Sequence, residues 1–193
     1  MHADTVPGSA TSTMGSADLD GDGKPDAVSV SAQTGLVVVE LGSGAELTAQ
    51  LPVAANGRLQ GLPDLLGDGR REVLVYSSAA GCCGYAPVDS QSYVLAIAQG
   101  RLSLVRFENG KPLQLSFSNG RGDTYAQVKC QGNGSIINSH FTDSGASSYY
   151  SSIKIEGSLA TGVTIDNAGP RDPTQDFPVA LGCAGLRADG RAS

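Results

Sequence analysis

The chain has 193 residues, of which 40% are hydrophobic, and its 13 Lys and Arg against 19 Asp and Glu give a formal net charge of −6 at pH 7. A nucleic-acid partner is not expected, because affinity for phosphate backbones comes mainly from clustered Lys and Arg. The 26 glycines and 9 prolines follow no Gly-X-Y period, and no apolar run is long enough to span a bilayer, which excludes a collagen-like chain and a transmembrane helix.

Short β-type runs separated by Gly, Asn, Asp and Ser recur about every 8 to 12 residues, a spacing typical of antiparallel all-β proteins. The polar N-terminal residues 1–16 are predicted to form a flexible linker, and we expect that an export signal has been removed. Residues 188–193 are predicted to be a flexible tail. The predicted strands are residues 27–31, 36–41, 46–53, 72–77, 92–98, 101–107, 112–117, 125–130, 135–141, 149–156 and 159–165.

Two segments in the first half of the chain have similar sequences. Asp18-Leu-Asp-Gly-Asp-Gly-Lys-Pro-Asp26 aligns without a gap with Asp64-Leu-Leu-Gly-Asp-Gly-Arg-Arg-Glu72, 46 residues later. A period of this size fits one four-stranded blade of a β-propeller or a similar β-repeat. Residues 17–108 are therefore predicted to form two β-repeats. Residues 109–187 are predicted to form a second β-rich portion of the same compact unit.

The first of these segments has the composition of a calcium loop. Asp18, Asp20, Asp22 and Asp26 place four carboxylates within nine residues, and their mutual repulsion favours a bound divalent cation. These side chains and the carbonyl oxygen of Lys24 are the predicted ligands. Ca²⁺ is favoured over Mg²⁺, because a flexible, oxygen-rich loop tolerates irregular coordination whereas Mg²⁺ requires a strict octahedron. An EF-hand is not expected, since a strand and not a helix follows.

The pattern Asp18-x-Asp-Gly-Asp-Gly-x-x-Asp26, together with the strand after it and the weaker copy at 64–76, resembles the FG-GAP or VCBS-type repeats of bacterial surface and secreted proteins. These repeats are related to the calcium loops of integrin-like β-propellers. The resemblance implies calcium ligation by the four aspartates, blade-like strands, and adhesion or ligand binding more often than catalysis. A closed propeller needs more blades than 193 residues supply, so we expect an incomplete propeller or a sandwich-like arrangement.

The second segment has lost part of this metal chemistry. Leu66 replaces the carboxylate at the third loop position, and Arg70 and Arg71 add positive charge. Only Asp64, Asp68 and Glu72 remain. We interpret this loop as one that keeps its turn, with an arginine neutralising the carboxylates in place of an ion.

The four cysteines, Cys82, Cys83, Cys130 and Cys183, have neither C-x-x-C spacing nor neighbouring histidines, which argues against zinc. An even number of cysteines without a metal pattern favours disulfides and an oxidising compartment. One possible arrangement is a vicinal Cys82–Cys83 disulfide, which leaves Cys130 to pair with Cys183. In the alternative, one of the vicinal cysteines bonds Cys130 or Cys183.

The loop at residues 78–91 is longer than the corresponding turn of the first repeat, residues 32–35, and it contains the two vicinal cysteines. Tyr85, Pro87 and Tyr93 are predicted to give this region a rigid, partly apolar surface, and loops held on rigid scaffolds often bind ligands. It is therefore the first candidate for a protein or glycan ligand. Rigidity of the turn alone is the alternative explanation.

The sequence as a whole favours a monomeric, secreted or cell-surface calcium-binding module that binds a protein or a glycan and has no catalytic activity. A small secreted hydrolase with structural calcium is one alternative, and it would require His140 to face two carboxylates in a pocket. A structural spacer of a larger surface protein is another. Arg121-Gly-Asp123 matches an integrin-binding tripeptide, but such tripeptides recur by chance.

Overall fold

The computed structural model describes residues 12–52, 57–76, 90–117, 124–142, 149–166 and 180–187. These residues are all-β, as predicted, and contain no helix. It follows that none of them belongs to a helix long and apolar enough to cross a membrane. The strands are β1 (Ser12–Ala17), β2 (Asp26–Ser31), β3 (Leu36–Glu40), β4 (Glu46–Gln50), β5 (Arg58–Gly61), β6 (Val73–Tyr76), β7 (Ser90–Ala98), β8 (Arg101–Leu104), β9 (Arg106–Phe107), β10 (Gln114–Phe117), β11 (Thr124–Cys130), β12 (Ser135–Thr142), β13 (Tyr149–Glu156), β14 (Leu159–Asp166) and β15 (Ala180–Leu181).

The described strands form three sheets. The first sheet is an antiparallel meander with the order β1-β2-β3-β4. The second sheet has the order β10-β7-β6-β5, and β8 also pairs with β7, so that β5 to β8 repeat the up-and-down order of the first sheet. The third sheet has the order β15-β11-β12-β13-β14-β9, in which the edge strands β15 and β9 run parallel to their neighbours.

The second sheet is buried on both faces, which places it between the other two. Side chains alternate along a strand, so Val73 and Val75 of β6 pack with residues of the first sheet, whereas Leu74 packs with residues of the third. The cluster shared by the first and second sheets includes Val28, Val30, Val37, Val39, Val73, Val75 and Leu95. The cluster shared by the second and third sheets includes Leu74, Val94, Leu115, Val128, Ile136, Ile153 and Ile155.

A disulfide ties the C-terminal segment to the third sheet. Cys130, the last residue of β11, bonds Cys183, which follows β15. Both cysteines are buried in the cluster between the second and third sheets. This is the pairing expected if Cys82 and Cys83 bond each other, but the two vicinal cysteines lie outside the described residues.

Every predicted strand overlaps a strand of the structure. Three strands of the structure, β1, β5 and β15, overlap no predicted strand. The linker predicted over residues 1–16 is wrong from Ser12 onward, because β1 begins there and pairs with β2 along its whole length. Its sequence, Ser-Thr-Met-Gly-Ser-Ala, lacks apolar alternation. The short strand β5 carries a register shift between Leu59 and Gly61, and β15 is only two residues long.

Candidate metal centre

The segment from Asp18 to Asp26, here called the acidic loop, connects β1 to β2 and is folded by its own carboxylates. The two side-chain oxygens of Asp18 accept the backbone N–H groups of Gly21 at 2.7 Å and Gly23 at 3.0 Å. Both glycines have positive φ angles, +84° and +81°, a backbone conformation that glycine adopts at little cost. Asp18 therefore sets the curvature of the whole loop.

This curvature brings three of the predicted ligands together. Asp18, Asp20 and Asp22 each offer a carboxylate oxygen, and these oxygens all lie within 4.8 Å of one another. Asp20 and Asp22 are oriented by the backbone as well, since each accepts the N–H of the residue two positions later, at 3.0 and 2.8 Å. Oxygen donors at this spacing suit a hard cation, which would offset the repulsion between the carboxylates.

Asp26 does not belong to this group, and the structure gives it a different role from the predicted one. Its side chain is fully buried. One carboxylate oxygen accepts the N–H of Leu19 at 2.7 Å and the other accepts the N–H of Gly42 at 2.8 Å. Asp26 therefore joins the acidic loop to the turn between β3 and β4. Lys24 lies near the cluster, with its ammonium group 3.8 Å from a carboxylate oxygen of Asp22.

The segment from Asp64 to Glu72, here called the second loop, repeats 46 residues later the hydrogen bonds that Asp18 and Asp22 accept from backbone N–H groups. Asp64 accepts the N–H groups of Gly67 at 2.6 Å and Gly69 at 3.1 Å. Asp68 accepts the N–H of Arg70 at 3.0 Å, as Asp22 accepts the corresponding N–H in the acidic loop. The two loops thus share one fold, although their side-chain charges differ.

An arginine side chain pairs with the second loop's central carboxylate, as predicted. Arg70 donates from Nε at 3.0 Å and from Nη2 at 2.6 Å to one oxygen of Asp68. Burial alone would raise the pKa of Asp68, but the hydrogen bonds and the positive charge of Arg70 hold it below its usual range. Since Leu66 replaces the other central carboxylate, the second loop does not form a three-carboxylate cluster among the described residues.

Glu72 occupies the position that corresponds to Asp26 and is also buried. Only one of its oxygens accepts backbone N–H groups, from Leu65 at 2.6 Å and from Leu66 at 3.3 Å. Burial raises the pKa of Glu72 to about 8, and the nearby negative charges of Asp68 and Asp64 add to the effect, although the two backbone hydrogen bonds oppose it. The closing carboxyl groups of the two loops are therefore not equivalent.

The remaining predicted site residues divide into two groups. Tyr93 is only 5% exposed and packs in the cluster between the first and second sheets, so the prediction that it presents a binding surface is wrong. Its strand, β7, belongs to the sheet that is buried on both faces, and the side chain of Tyr93 lies on the face towards the first sheet. Cys82, Cys83, Tyr85, Pro87 and the tripeptide at 121–123 lie outside the described residues.

Comparison with protein-family models, with curated proteins and with solved structures finds no match to this chain.

Proposed function

We propose that this chain is a secreted or cell-surface calcium-binding module that mediates protein or glycan binding without catalysis. The observation that carries the proposal is the convergence of the Asp18, Asp20 and Asp22 oxygens within 4.8 Å. A second support is the shared hydrogen-bond pattern of the two loops, which fits a pair of FG-GAP or VCBS-type repeats. In this proposal only the acidic loop holds Ca²⁺.

Calcium at this site would act mainly on stability and on the placement of strands. Asp18 follows β1 directly, and its carbonyl oxygen accepts the N–H of Arg71 at 3.0 Å. Arg71 belongs to the second loop, which precedes β6 of the second sheet. An ion held by Asp18 would therefore strengthen the junction between the first two sheets. A ligand present at about 100 times its dissociation constant stabilises the folded state by about 2.7 kcal/mol.

The extracellular part of the proposal is supported by the Cys130–Cys183 disulfide, because stable disulfides are typical of oxidising compartments. Residues 78–91 remain the proposed contact with a protein or glycan. A printed glycan array probed with and without calcium tests this part. Binding that disappears when Tyr85 and Pro87 are replaced by alanine would support it, whereas binding unchanged by both substitutions would contradict it.

The calcium site itself is tested by thermal unfolding in chelator, in excess Ca²⁺ and in excess Mg²⁺. The informative variant is Asp22→Asn, because the amide oxygen can still accept the N–H of Lys24 while the charge is lost. Its matched control is Asp68→Asn, the same substitution at the corresponding position of the second loop.

We expect Ca²⁺ to raise the melting temperature of the wild-type protein and of Asp68→Asn more than Mg²⁺ does. Asp22→Asn should lose most of this response while keeping its metal-free melting temperature. A wild-type protein that melts at the same temperature in chelator and in excess Ca²⁺ would refute the calcium site. An equal loss of response in both variants would show that the effect does not come from the acidic loop.

A further inference from the structure

The strand β4 forms one edge of the first sheet. In the part of the chain that the structure describes, it pairs with β3 alone, and its register with β3 runs without a bulge. Glu46, Thr48 and Gln50 are exposed, whereas Leu47 and Ala49 pack against the cluster between the first and second sheets. The edge is therefore a regular strand that the core holds in position.

The hydrogen bonds between β3 and β4 determine which backbone groups point to this edge. The residue after β4, Leu51, donates its N–H to the carbonyl oxygen of Gly35 at 3.1 Å. Residue pairs that exchange hydrogen bonds alternate along an antiparallel ladder with pairs that do not. The N–H and carbonyl groups of Glu46, Thr48 and Gln50 therefore point away from β3, towards the open edge.

Proteins usually protect a sheet edge with a proline, a lysine, a bulge or a very short strand. Other edges of this fold follow that rule, because β9 and β15 have two residues each and β5 has a register shift. The opposite edge of the first sheet, β1, lies against β5. In contrast, β4 is a regular strand of five residues without proline or lysine, and Glu46 is its only charged residue. Such an edge can accept another strand.

The sequence of β4 is complementary to itself. If β4 pairs antiparallel with β4 of a second copy around Thr48, the two Thr48 residues lie opposite each other and Glu46 lies opposite Gln50 on both sides. This register uses all three outward-pointing residues, and each pair exchanges two backbone hydrogen bonds. Opposed threonines stabilise a sheet, whereas opposed like charges destabilise it. Here each carboxylate meets a neutral amide, so a second copy of the chain fits this edge with two-fold symmetry.

We propose that this chain forms a two-fold symmetric dimer through antiparallel pairing of its β4 strands, so that the first sheets of two copies continue as one sheet. This dimer takes the place of the monomer expected from the sequence. The pairing needs neither calcium nor the ligand of the proposed function, so the two proposals are tested independently. A contact through one strand edge is smaller than a standard protein interface, and we expect weak association with a dissociation constant of about 0.1 mM.

Sedimentation equilibrium of the full-length protein in chelator, at concentrations on both sides of the expected dissociation constant, measures this association. The variant Thr48→Lys places two ammonium groups opposite each other at the centre of the pairing. We expect it to raise the dissociation constant at least about tenfold, a difference of about 1.4 kcal/mol. Thr161→Lys is the matched control, because it adds the same charge at an exposed threonine of β14. It should dimerise like the wild type.

Thr48→Glu should weaken the dimer in the same way, because two carboxylates then meet. An equimolar mixture of Thr48→Lys and Thr48→Glu should restore it, since opposite charges face each other, and this rescue shows that both variants are folded. A wild-type protein that stays monomeric up to about 1 mM would overturn the proposal and leave a strand of another protein as the occupant of the edge. Undiminished dimers of both Thr48 variants, or a mixture that stays monomeric, would overturn it as well.

Discussion

The backbone N–H of Arg71 donates a 3.0 Å hydrogen bond to the carbonyl oxygen of Asp18, the residue that opens the acidic loop. The contact is reinforced by the neighbouring side chain of Arg70, whose alkyl stem lies close to Gly21. Two loops that are 46 residues apart in sequence are therefore in direct contact. The two loops also interact electrostatically. The pKa of Arg70 is raised mainly by Asp68 of its own loop, and the negative charge of Asp18 in the acidic loop adds to this effect.

The first prediction concerns Asp26, which satisfies the N–H groups of Leu19 and Gly42 in a buried position. Asp26→Ala leaves both donors without an acceptor, and each such loss costs about 1–3 kcal/mol. We expect the free energy of unfolding in chelator to fall by about 2–6 kcal/mol, measured by urea denaturation.

Asp20→Ala is the control for this experiment, because Asp20 is partly exposed and accepts a single N–H within the loop. In chelator its effect should be smaller than that of Asp26→Ala. If Asp26→Ala instead unfolds like the wild type in chelator and differs only in Ca²⁺, then Asp26 is a metal ligand and its structural role is wrong.

The second prediction concerns the pH dependence of stability. The pKa of Glu72 rises from 4.5 to about 8 on folding, so between these values the folded chain holds a proton that the unfolded chain has released. Stability should therefore fall as the pH rises from about 4.5 to 8, by up to about 1.4 kcal/mol per pH unit at the steepest. Urea denaturation at several pH values in chelator measures this slope.

Glu72→Gln tests the cause of that slope. The amide oxygen can accept the N–H groups of Leu65 and Leu66, which both bond a single oxygen of Glu72, and glutamine does not titrate. The variant should lose the decline between pH 4.5 and 8. A decline of equal steepness in wild type and variant would assign the pH dependence to other groups.

Most strands of this fold can be predicted from local sequence patterns. Strands such as β2 and β3 alternate between buried and exposed residues, and the period-2 pattern predicts them directly. The strand β1 has no such pattern. It forms because its backbone pairs with β2, the next strand along the chain, and because Gly15 permits close packing against Leu59, which is distant in sequence. Tertiary contacts of this kind cannot be predicted from the sequence of the strand alone.

The candidate metal site shows the same division between local and distant information. The spacing of Asp18, Asp20 and Asp22 is local, and these three carboxylates do converge. Asp26 fits the same spacing, but one of its oxygens accepts the N–H of Gly42. Gly42 lies in a turn that is not part of the motif.

The third prediction concerns the disulfide. Cys130 and Cys183 are separated by 53 residues, and a cross-link of this length stabilises a protein by about 4 kcal/mol, chiefly by restricting the unfolded chain. The double variant Cys130→Ala/Cys183→Ala should lose stability of this order in urea denaturation. Comparison with wild type under reducing conditions is the control, since reduction should remove most of the difference. A variant as stable as the oxidised wild type would contradict the expectation.

The fourth prediction compares two glycines of the second loop. Gly67 and Gly69 both have positive φ angles, +71° and +89°, so alanine at either position is strained by about 1–2 kcal/mol. Their surroundings differ. A Cβ atom at Gly67 would overlap the carbonyl group of Gly132 in the turn between β11 and β12, whereas no atom lies within 4 Å of a Cβ at Gly69.

Gly67→Ala must therefore displace backbone as well as adopt the strained angle, and overpacking of this kind adds about 1–3 kcal/mol. We expect its loss of stability to exceed that of Gly69→Ala in parallel urea titrations. Gly132→Ala, which also has a positive φ and open space around its Cβ, should behave like Gly69→Ala. Equal losses for all three variants would mean that the second loop does not contact the third sheet at Gly67, and the close approach of the two would have to be abandoned.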